Sequence, residues 1–329
     1  MAPSPGIDLT DLAMVKSLLG ESIQMTTTEH FAIVREAGAN RVPGTGRMLE
    51  RACKQFYEAF SLAGFDLTRP ADRLVWICFP HQDRFDEYAI RVEGTDLSWL
   101  DGYYSTLTNR VAIVEPSPRL SERARPDASS KPGNRVNPAA TTQHHEEILA
   151  MSADESHMDL ARLTHELAHQ LAFNSGLQKR GVMYPFWVSE GLATNFEFAW
   201  LAGPGPASCS TVRRSGLVKT YVSGELVPLR QFVIQTEAPA SAAHSRRYYA
   251  QAWAFFQYLL TQRSESLRSY LHQIAILPPG RRAAMVLLRE FTDSFGSPDE
   301  IENSWNAFLD RQAQQERASA GSASRAIRK

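Results

Sequence analysis

Apolar positions along this chain follow two periods, and the change between them divides it. In the first half, Glu29-His30-Phe31-Ala32-Ile33-Val34 has strand character, and Leu74-Val75-Trp76-Ile77-Cys78-Phe79 is a continuous apolar run of strand length stopped by Pro80. Between them, Leu49, Ala52, Cys53, Phe56, Phe60 and Ala63 keep helical spacing and end at Gly64. A second helix is expected over Asp83 to Ile90. Tyr103-Tyr104-Ser105 and Asn109 to Glu115 then predict a hairpin turning near Leu107-Thr108-Asn109. This β-α-β-α order predicts a small mixed sheet with helices on one side. Residues 110–115 are expected at the sheet edge, either as an ordinary edge strand or as one whose free backbone groups pair with an extended peptide.

The second half is helical in period. A helix is predicted from Asp159 to Phe173, with Leu160, Leu163, Leu167, Ala168 and Leu171 on its core face and Asn174-Ser175-Gly176 ending it. Tyr184-Pro185-Phe186-Trp187 opens another, whose Gly191 is expected to let it approach the first closely. Pro204 to Gly216 reads as a loop, and Leu226 to Phe232 as a turn into a short helix. Helices follow over Ala250–Thr261, Ser264–Ile276, Gly280–Phe291 and Pro298–Gln312. The last has Ser297 as N-cap, Pro298 at its first position and Glu300 at its third. The expected class is therefore α+β. Residues 1–24 form a peripheral N-terminal segment, 25–200 an α/β lobe, 201–313 a helical lobe and 314–329 a disordered tail. Within 116–147 the chain is rich in Pro, Ser, Arg and Asp and lacks periodicity, so it is expected to be a flexible loop, disordered or acting as a lid.

At 329 residues, with 43% hydrophobic and 22% charged content, the chain can bury a sizeable core. A formal net charge of −1 supplies no field favouring nucleic acid or an anionic membrane, and neither is expected as a partner. Cys53, Cys78 and Cys209 have neither metal-knuckle spacing nor an even disulfide framework. Reduced thiols, no export signal and no long apolar run together predict a cytoplasmic protein. Oligomeric state is not legible.

The chemistry concentrates in Leu163-Thr164-His165-Glu166-Leu167-Ala168-His169-Gln170, an H-E-x-x-H pattern on the predicted helix. Two histidines four apart on a helix point the same way, so both imidazoles can hold one Zn²⁺ while Glu166 lies beside an open coordination position. Glu190, on the next helix, is the expected third ligand. Zinc lowers the pKa of a bound water, and Glu166 is placed to accept its proton and return it to a leaving amine. Tyr249, in Arg246-Arg247-Tyr248-Tyr249-Ala250-Gln251-Ala252-Trp253, is the first candidate to steady an oxyanion, with Tyr248 in reserve, or both tyrosines simply pack. His244 is a further proton-donor candidate or a loop residue. Thr194, Asn195 and Glu197 are candidates to orient the histidines, or solvent-facing residues. His144 and His145 are adjacent and cannot share a helical face, which argues against a metal role.

The combination of His165-Glu166-x-x-His169 with Glu190-Gly191-x-Ala193 resembles the gluzincin clan of metallopeptidases, the thermolysin-like and aminopeptidase-like enzymes. More closely, His165–Phe173, Trp187–Glu197 and Tyr249-Ala-Gln-Ala-Trp253 resemble a bacterial domain-of-unknown-function family of gluzincin-like proteins, over residues 103–115 and 159–312. The resemblance implies a zincin-like fold, with a small mixed-sheet lobe and a helical C-terminal lobe, and a zinc-dependent hydrolase acting on a peptide or protein. In the related aminopeptidases a tyrosine of a Tyr-x-x-Gly segment assists the oxyanion; Tyr249 takes that place here, with Ala252 where the glycine would be. The Gly-x-Met-Glu-Asn segment that holds a substrate's free amine has no counterpart before His165. An endopeptidase is therefore expected rather than an aminopeptidase, the alternative being a catalytically silent zincin-like binding module.

Overall fold

A computed structural model describes residues 15–17, 19–20, 23–36, 44–94, 96–97, 100–115, 161–197, 211–237, 239 and 242–326. The chain is α+β, with a five-stranded mixed sheet and a mainly helical part. Its contacts form two compact units: Met1–Arg47, Asp72–Ser105 and Asn109–Leu163 in one, and Met48–Ala71, Thr106–Thr108 and Thr164–Lys329 in the other. The H-E-x-x-H residues thus cluster with the helical unit. The loop expected at 116–147, with His144 and His145, lies outside the described residues, as does Cys209. Cys53 and Cys78 are buried and are not joined to each other in a disulfide. Among the described residues no helix is long and apolar enough to cross a membrane.

The first unit holds the sheet, in the order β1-β2-β3-β5-β4. Its strands are β1 (Ile23–Thr27), β2 (Phe31–Glu36), β3 (Leu74–Phe79), β4 (Gly102–Ser105) and β5 (Arg110–Val114). β2 pairs parallel with β3 and β3 with β5, while β1 and β4 close the two edges antiparallel. Every residue of β2 and β3 is buried, which is why these strands read as unbroken apolar runs rather than alternating ones. One sheet face, with Ala32, Val34, Val75, Ile77 and Phe79, packs against Phe85, Tyr88 and Ala89 of the helix Gln82–Glu93. β2 begins two residues later than expected because Thr28 and Phe31 form a local turn, in which the Phe31 N–H donates to Thr28 Oγ1 and the Thr28 N–H to the Phe31 carbonyl.

The edge assignment for residues 110–115 is corrected. β5 is flanked by β3 and β4, so its backbone is already paired on both sides, and the edge strand of the hairpin is β4. β1, not foreseen, has only exposed or half-exposed residues, and the short alternation of Ile23, Gln24, Met25 and Thr26 buries no face.

The helical unit contains most of α1 (Thr45–Leu62), whereas Gln82–Glu93, above, is α2. It continues with α3 (161–174, in this unit from Thr164), α4 (Phe186–Phe196), α5 (Thr211–Val222), α6 (Leu229–Phe232), α7 (Ala242–Gln262), α8 (Ser264–Ala275), α9 (Ala284–Phe295) and α10 (Pro298–Ala326). Trp187 is fully buried at the start of α4, stacked on Tyr270 at 5.4 Å and edge-on to Phe255, Phe291 and Phe295. α10 has the expected capping box: the Glu300 N–H donates to Ser297 Oγ at 3.2 Å and the Ser297 N–H to Glu300 Oε2 at 2.6 Å.

Three expectations fail here. Residues 211–216 are the start of α5 rather than loop, anchored by the fully buried Leu217. α9 begins at Ala284 because Gly280 (φ 138°) is taken up in a bridge to Val182. α10 runs through 314–326, read from sequence as disordered: Gln, Glu, Arg and Ala there favour helix although too few apolar residues mark a face.

Candidate metal centre

α3 and α4 build the site. His165 and His169 are one helical turn apart on α3, and the helix ends as predicted in a turn whose Gly176 has φ 86°. α4 is fixed at its start, where the Phe186 N–H donates to the Gln235 carbonyl at 2.6 Å and Trp187 Nε1 to the Val233 carbonyl at 3.3 Å. Near its end Phe196 lies against Phe56 and Phe60 of α1, and Thr164 Oγ1 of α3 donates to the Glu197 carbonyl at 2.6 Å. Glu190 is thus held toward the two histidines from both ends of its helix.

The expected role of Gly191 is corrected. A Cβ there would stand 2.6 Å from the Ala252 carbonyl oxygen and 2.9 Å from Phe256 Cβ, so the close approach is to α7 rather than to α3.

The three predicted ligands converge. His165 Nε2 lies 3.2 Å from His169 Nε2 and 3.2 Å from Glu190 Oε2, and His169 Nε2 is 3.5 Å from Glu190 Oε1. All three side chains are half-buried, and their donor atoms could hold a metal ion. Glu166 follows His165 on the same turn, close enough for its charge to act on both His165 and Tyr249.

Of the three orienting candidates only Glu197 faces a histidine. Its Oε1 accepts from His165 Nδ1 at 3.2 Å, and its carboxylate is gripped by Arg213 of α5, whose Nη2 donates to Oε1 at 2.6 Å and Nε to Oε2 at 2.9 Å. Thr194 instead turns back to the Glu190 and Gly191 carbonyls, and Asn195 bonds the Gly191 and Trp253 carbonyls. His244 is exposed.

The two tyrosines separate. Tyr249 lies edge-on to Phe186 at 5.1 Å, with its ring 6.5 Å from His165 and the Arg213 guanidinium 5.5 Å away over its face. Tyr248 instead packs against Phe186 and Phe232. Both sit inside α7, which starts well before the Ala250 expected from sequence.

The electrostatics fit a cation site that shares protons when no ion is bound. Burial is the largest influence on His165 and pushes its pKa down, but hydrogen bonds to Glu190 and Glu197 and the charges of Glu190 and Glu166 outweigh it, bringing the value up to about 10. Burial likewise opposes the charge of Glu190, yet His169 and His165 hold its carboxyl well below the usual range; burial also raises that of Glu197, but His165 and Arg213 bring it below its ordinary value. Burial first, then the Glu190 carboxylate, raises the Tyr249 hydroxyl far above its ordinary value, so it remains an O–H donor. A cation held on the Nε2 side of His165 would take the place of a proton there, with Nδ1–H left to Glu197, which would fix the tautomer.

Sequence reasoning missed Arg213. No spacing rule connects it to Glu197, and its segment lacks the apolar pattern that would have marked a helix.

Residues 159–280 match the model of a family described as "Protein of unknown function (DUF1570)". That span includes His165, Glu166, His169, Glu190, Glu197, Arg213 and Tyr249. No curated protein matches the chain.

Proposed function

We propose that this protein is a zinc-dependent peptide-bond hydrolase of gluzincin type, with a zincin-like fold. The observation that carries the reading is the spacing of the donor atoms of His165, His169 and Glu190. Zinc bonds of about 2.0–2.1 Å at tetrahedral angles set ligand atoms roughly 3.3–3.4 Å apart. Here the two imidazole nitrogens are 3.2 Å apart, with one carboxylate oxygen of Glu190 3.2 Å from His165 Nε2 and the other 3.5 Å from His169 Nε2, and one ligand atom from each residue can be chosen within 4.8 Å of the other two. Two imidazoles and one carboxylate are also the donor set that leaves a fourth position open in catalytic zinc sites, whereas structural sites are closed by four protein ligands.

When bound, the ion would lower the pKa of a water in the open position and polarise the carbonyl under attack. Glu166 would accept a proton from that water and deliver it to the leaving amine, a task that suits a carboxylate on the same turn as a ligand. Tyr249, kept protonated by burial and by Glu190, would donate a hydrogen bond to the oxyanion. Glu197, clamped by Arg213, would hold His165 in the tautomer that presents Nε2. With no segment before His165 to hold a free amine, cleavage inside a peptide is preferred over removal of its first residue.

The test is a peptide-library digest read by mass spectrometry, with the zinc-loaded protein, with a chelator, and with Glu166→Gln. The reading expects cleavage that the chelator stops, and a Glu166→Gln protein that holds zinc but cuts nothing. Cleavage undiminished in Glu166→Gln would reject it. Failure to cut any peptide while zinc is held would instead make the protein a zincin-like binding module.

A further inference from the structure

We propose that a cavity of about 530 Å³, formed where α8 meets the turns that follow α1 and α3, is a second binding site and takes a zwitterion with an apolar side chain, such as a free apolar amino acid. None of its lining residues belongs to the candidate metal centre. The proposal goes beyond the hydrolase reading and is independent of it.

Fixed backbone holds the space open. In the turn after α1, the Gly64 carbonyl accepts from Arg268 Nη1 of α8 at 2.6 Å. Gly64 has φ 82°, and a Cβ there would stand 2.8 Å from that same nitrogen, so glycine suits both the turn and the bridge. Across the floor, the Thr68 N–H and Oγ1 both donate to the Ser175 carbonyl, at 3.2 and 3.1 Å, tying this turn to the end of α3. The walls are thus joined at two points. The volume between them is that of a small-molecule site.

The lining sorts by polarity. Phe65, Leu177 and Leu271 are buried and Leu67 is half-buried, which gives the cavity an apolar inner surface. At the rim stand Asp66 of the turn and Glu265 and Arg268 of α8, all exposed. Among the described residues neither Asp66 nor Glu265 has an ion-pair partner, and the bond to Gly64 is the one hydrogen bond of the Arg268 side chain, which leaves Nε and Nη2 to a ligand.

These groups select a ligand of both signs. Nε and Nη2 form the guanidinium edge that matches a carboxylate with two parallel hydrogen bonds. Asp66 and Glu265 suit an ammonium. A simple anion would face their two carboxylates, and a simple cation would face Arg268. An apolar amino acid satisfies both signs and covers the leucines with its side chain.

The test follows the methyl NMR signals of Leu67, Leu177 and Leu271 in the full chain, zinc-loaded and chelator-treated, as L-phenylalanine is added. These signals should shift in both forms. Phenylalaninamide lacks the carboxylate and N-acetylphenylalanine the ammonium; each should bind about three- to tenfold more weakly, the scale of a charged hydrogen bond at a partly exposed rim. Glycine, with no apolar side chain, should bind more weakly still. Arg268→Lys keeps the charge but loses the planar fork, and should bring phenylalanine down to the level of its amide. Ser269→Trp fills the cavity from an exposed position on α8, and should abolish the shifts with the melting temperature unchanged. Equal affinity for the four compounds, shifts that persist in Ser269→Trp, or shifts confined to the zinc-loaded form would each overturn the site. Peptide cleavage enters none of these readouts, so failure of the hydrolase reading would leave the site standing, and failure of the site would leave the hydrolase reading untouched.

Discussion

Glu197 Oε1 stands 3.2 Å from His165 Nδ1 and 2.6 Å from Arg213 Nη2, so a single carboxylate oxygen couples an imidazole of the candidate metal triad to a guanidinium on another helix. Removing Glu197 would free the His165 ring to rotate or change tautomer and would leave Arg213 without its carboxylate. Removing Arg213 would let Glu197 swing. Each of Glu197→Ala and Arg213→Ala is expected to weaken zinc binding by about ten- to a hundredfold, the usual cost of losing a group that orients a ligand. Because both act through one contact, the double variant should be little worse than the worse single one. Competition with a chromogenic chelator measures this, and affinity within twofold of wild type in Glu197→Ala would contradict the role.

The same contacts predict how the metal-free protein responds to pH. His165 rises from an ordinary 6.5 to about 10, so the stability its proton confers is complete below 6.5 and is lost as pH climbs through 10. Glu190 and Glu197 are lowered from an ordinary 4.5, so their contribution is present above 4.5 and is lost as pH falls through their folded values. Chelator-treated protein should therefore be most stable between these limits. If zinc is the ion this site holds, it must displace the proton on His165 Nε2, so its affinity should rise with pH across 6.5 to 10, with about one proton released per ion near neutrality. Thermal melting against pH and calorimetry in buffers of different ionisation enthalpy give the two readouts. Zinc affinity flat across this range would refute the proton exchange.

Gly191→Ala tests how α4 is placed. The added methyl would stand 2.6 Å from the Ala252 carbonyl oxygen, and backbone cannot step aside as a side-chain tip can. The helices must separate, at a cost of about 1–3 kcal/mol typical of overpacking. Since Glu190 precedes Gly191, the displacement should also reduce zinc affinity. A melting temperature and zinc affinity both equal to wild type would show that α4 and α7 have slack at this point.

These two helices also mark what the sequence could disclose. His165, His169 and Glu190 were legible because an i, i+4 pair on an apolar-striped helix puts both imidazoles on one face, and the Trp187-x-x-Glu190-Gly191-x-Ala193 segment offered a carboxylate on the next helix. Glu197 was legible only as one of three candidates: Thr194, Asn195 and Glu197 all follow Glu190, and which one turns toward a histidine depends on where Arg213 and Phe196 are held. Arg213 was not legible at all. In the sheet, Leu74–Phe79 was found with its bounds because both its faces are buried, and the hairpin of β4 and β5 from its turn. The position of β5 between β3 and β4 depends on a parallel pairing, which leaves no local mark in sequence. β1 was missed because none of its residues is buried, and the end of α10 because its sequence has too few apolar residues to mark a helical face.

The last prediction separates Tyr249 from Tyr248. Their sequence positions are adjacent, but α7 turns about 100° per residue, so neighbours face different surroundings. Tyr249 is presented toward His165 and Glu190, while Tyr248 is inserted among Phe186 and Phe232. If Tyr249 donates to the oxyanion, Tyr249→Phe should lower kcat by about a hundred- to a thousandfold with KM and zinc content little changed, since the contact forms only in the transition state. Its ring would still pack on Phe186, so the melting temperature should hold. Tyr248→Phe should leave kcat near wild type. A Tyr249→Phe enzyme with unaltered kcat would place oxyanion stabilisation elsewhere in the site, and a Tyr248→Phe enzyme with the larger loss would exchange the two assignments.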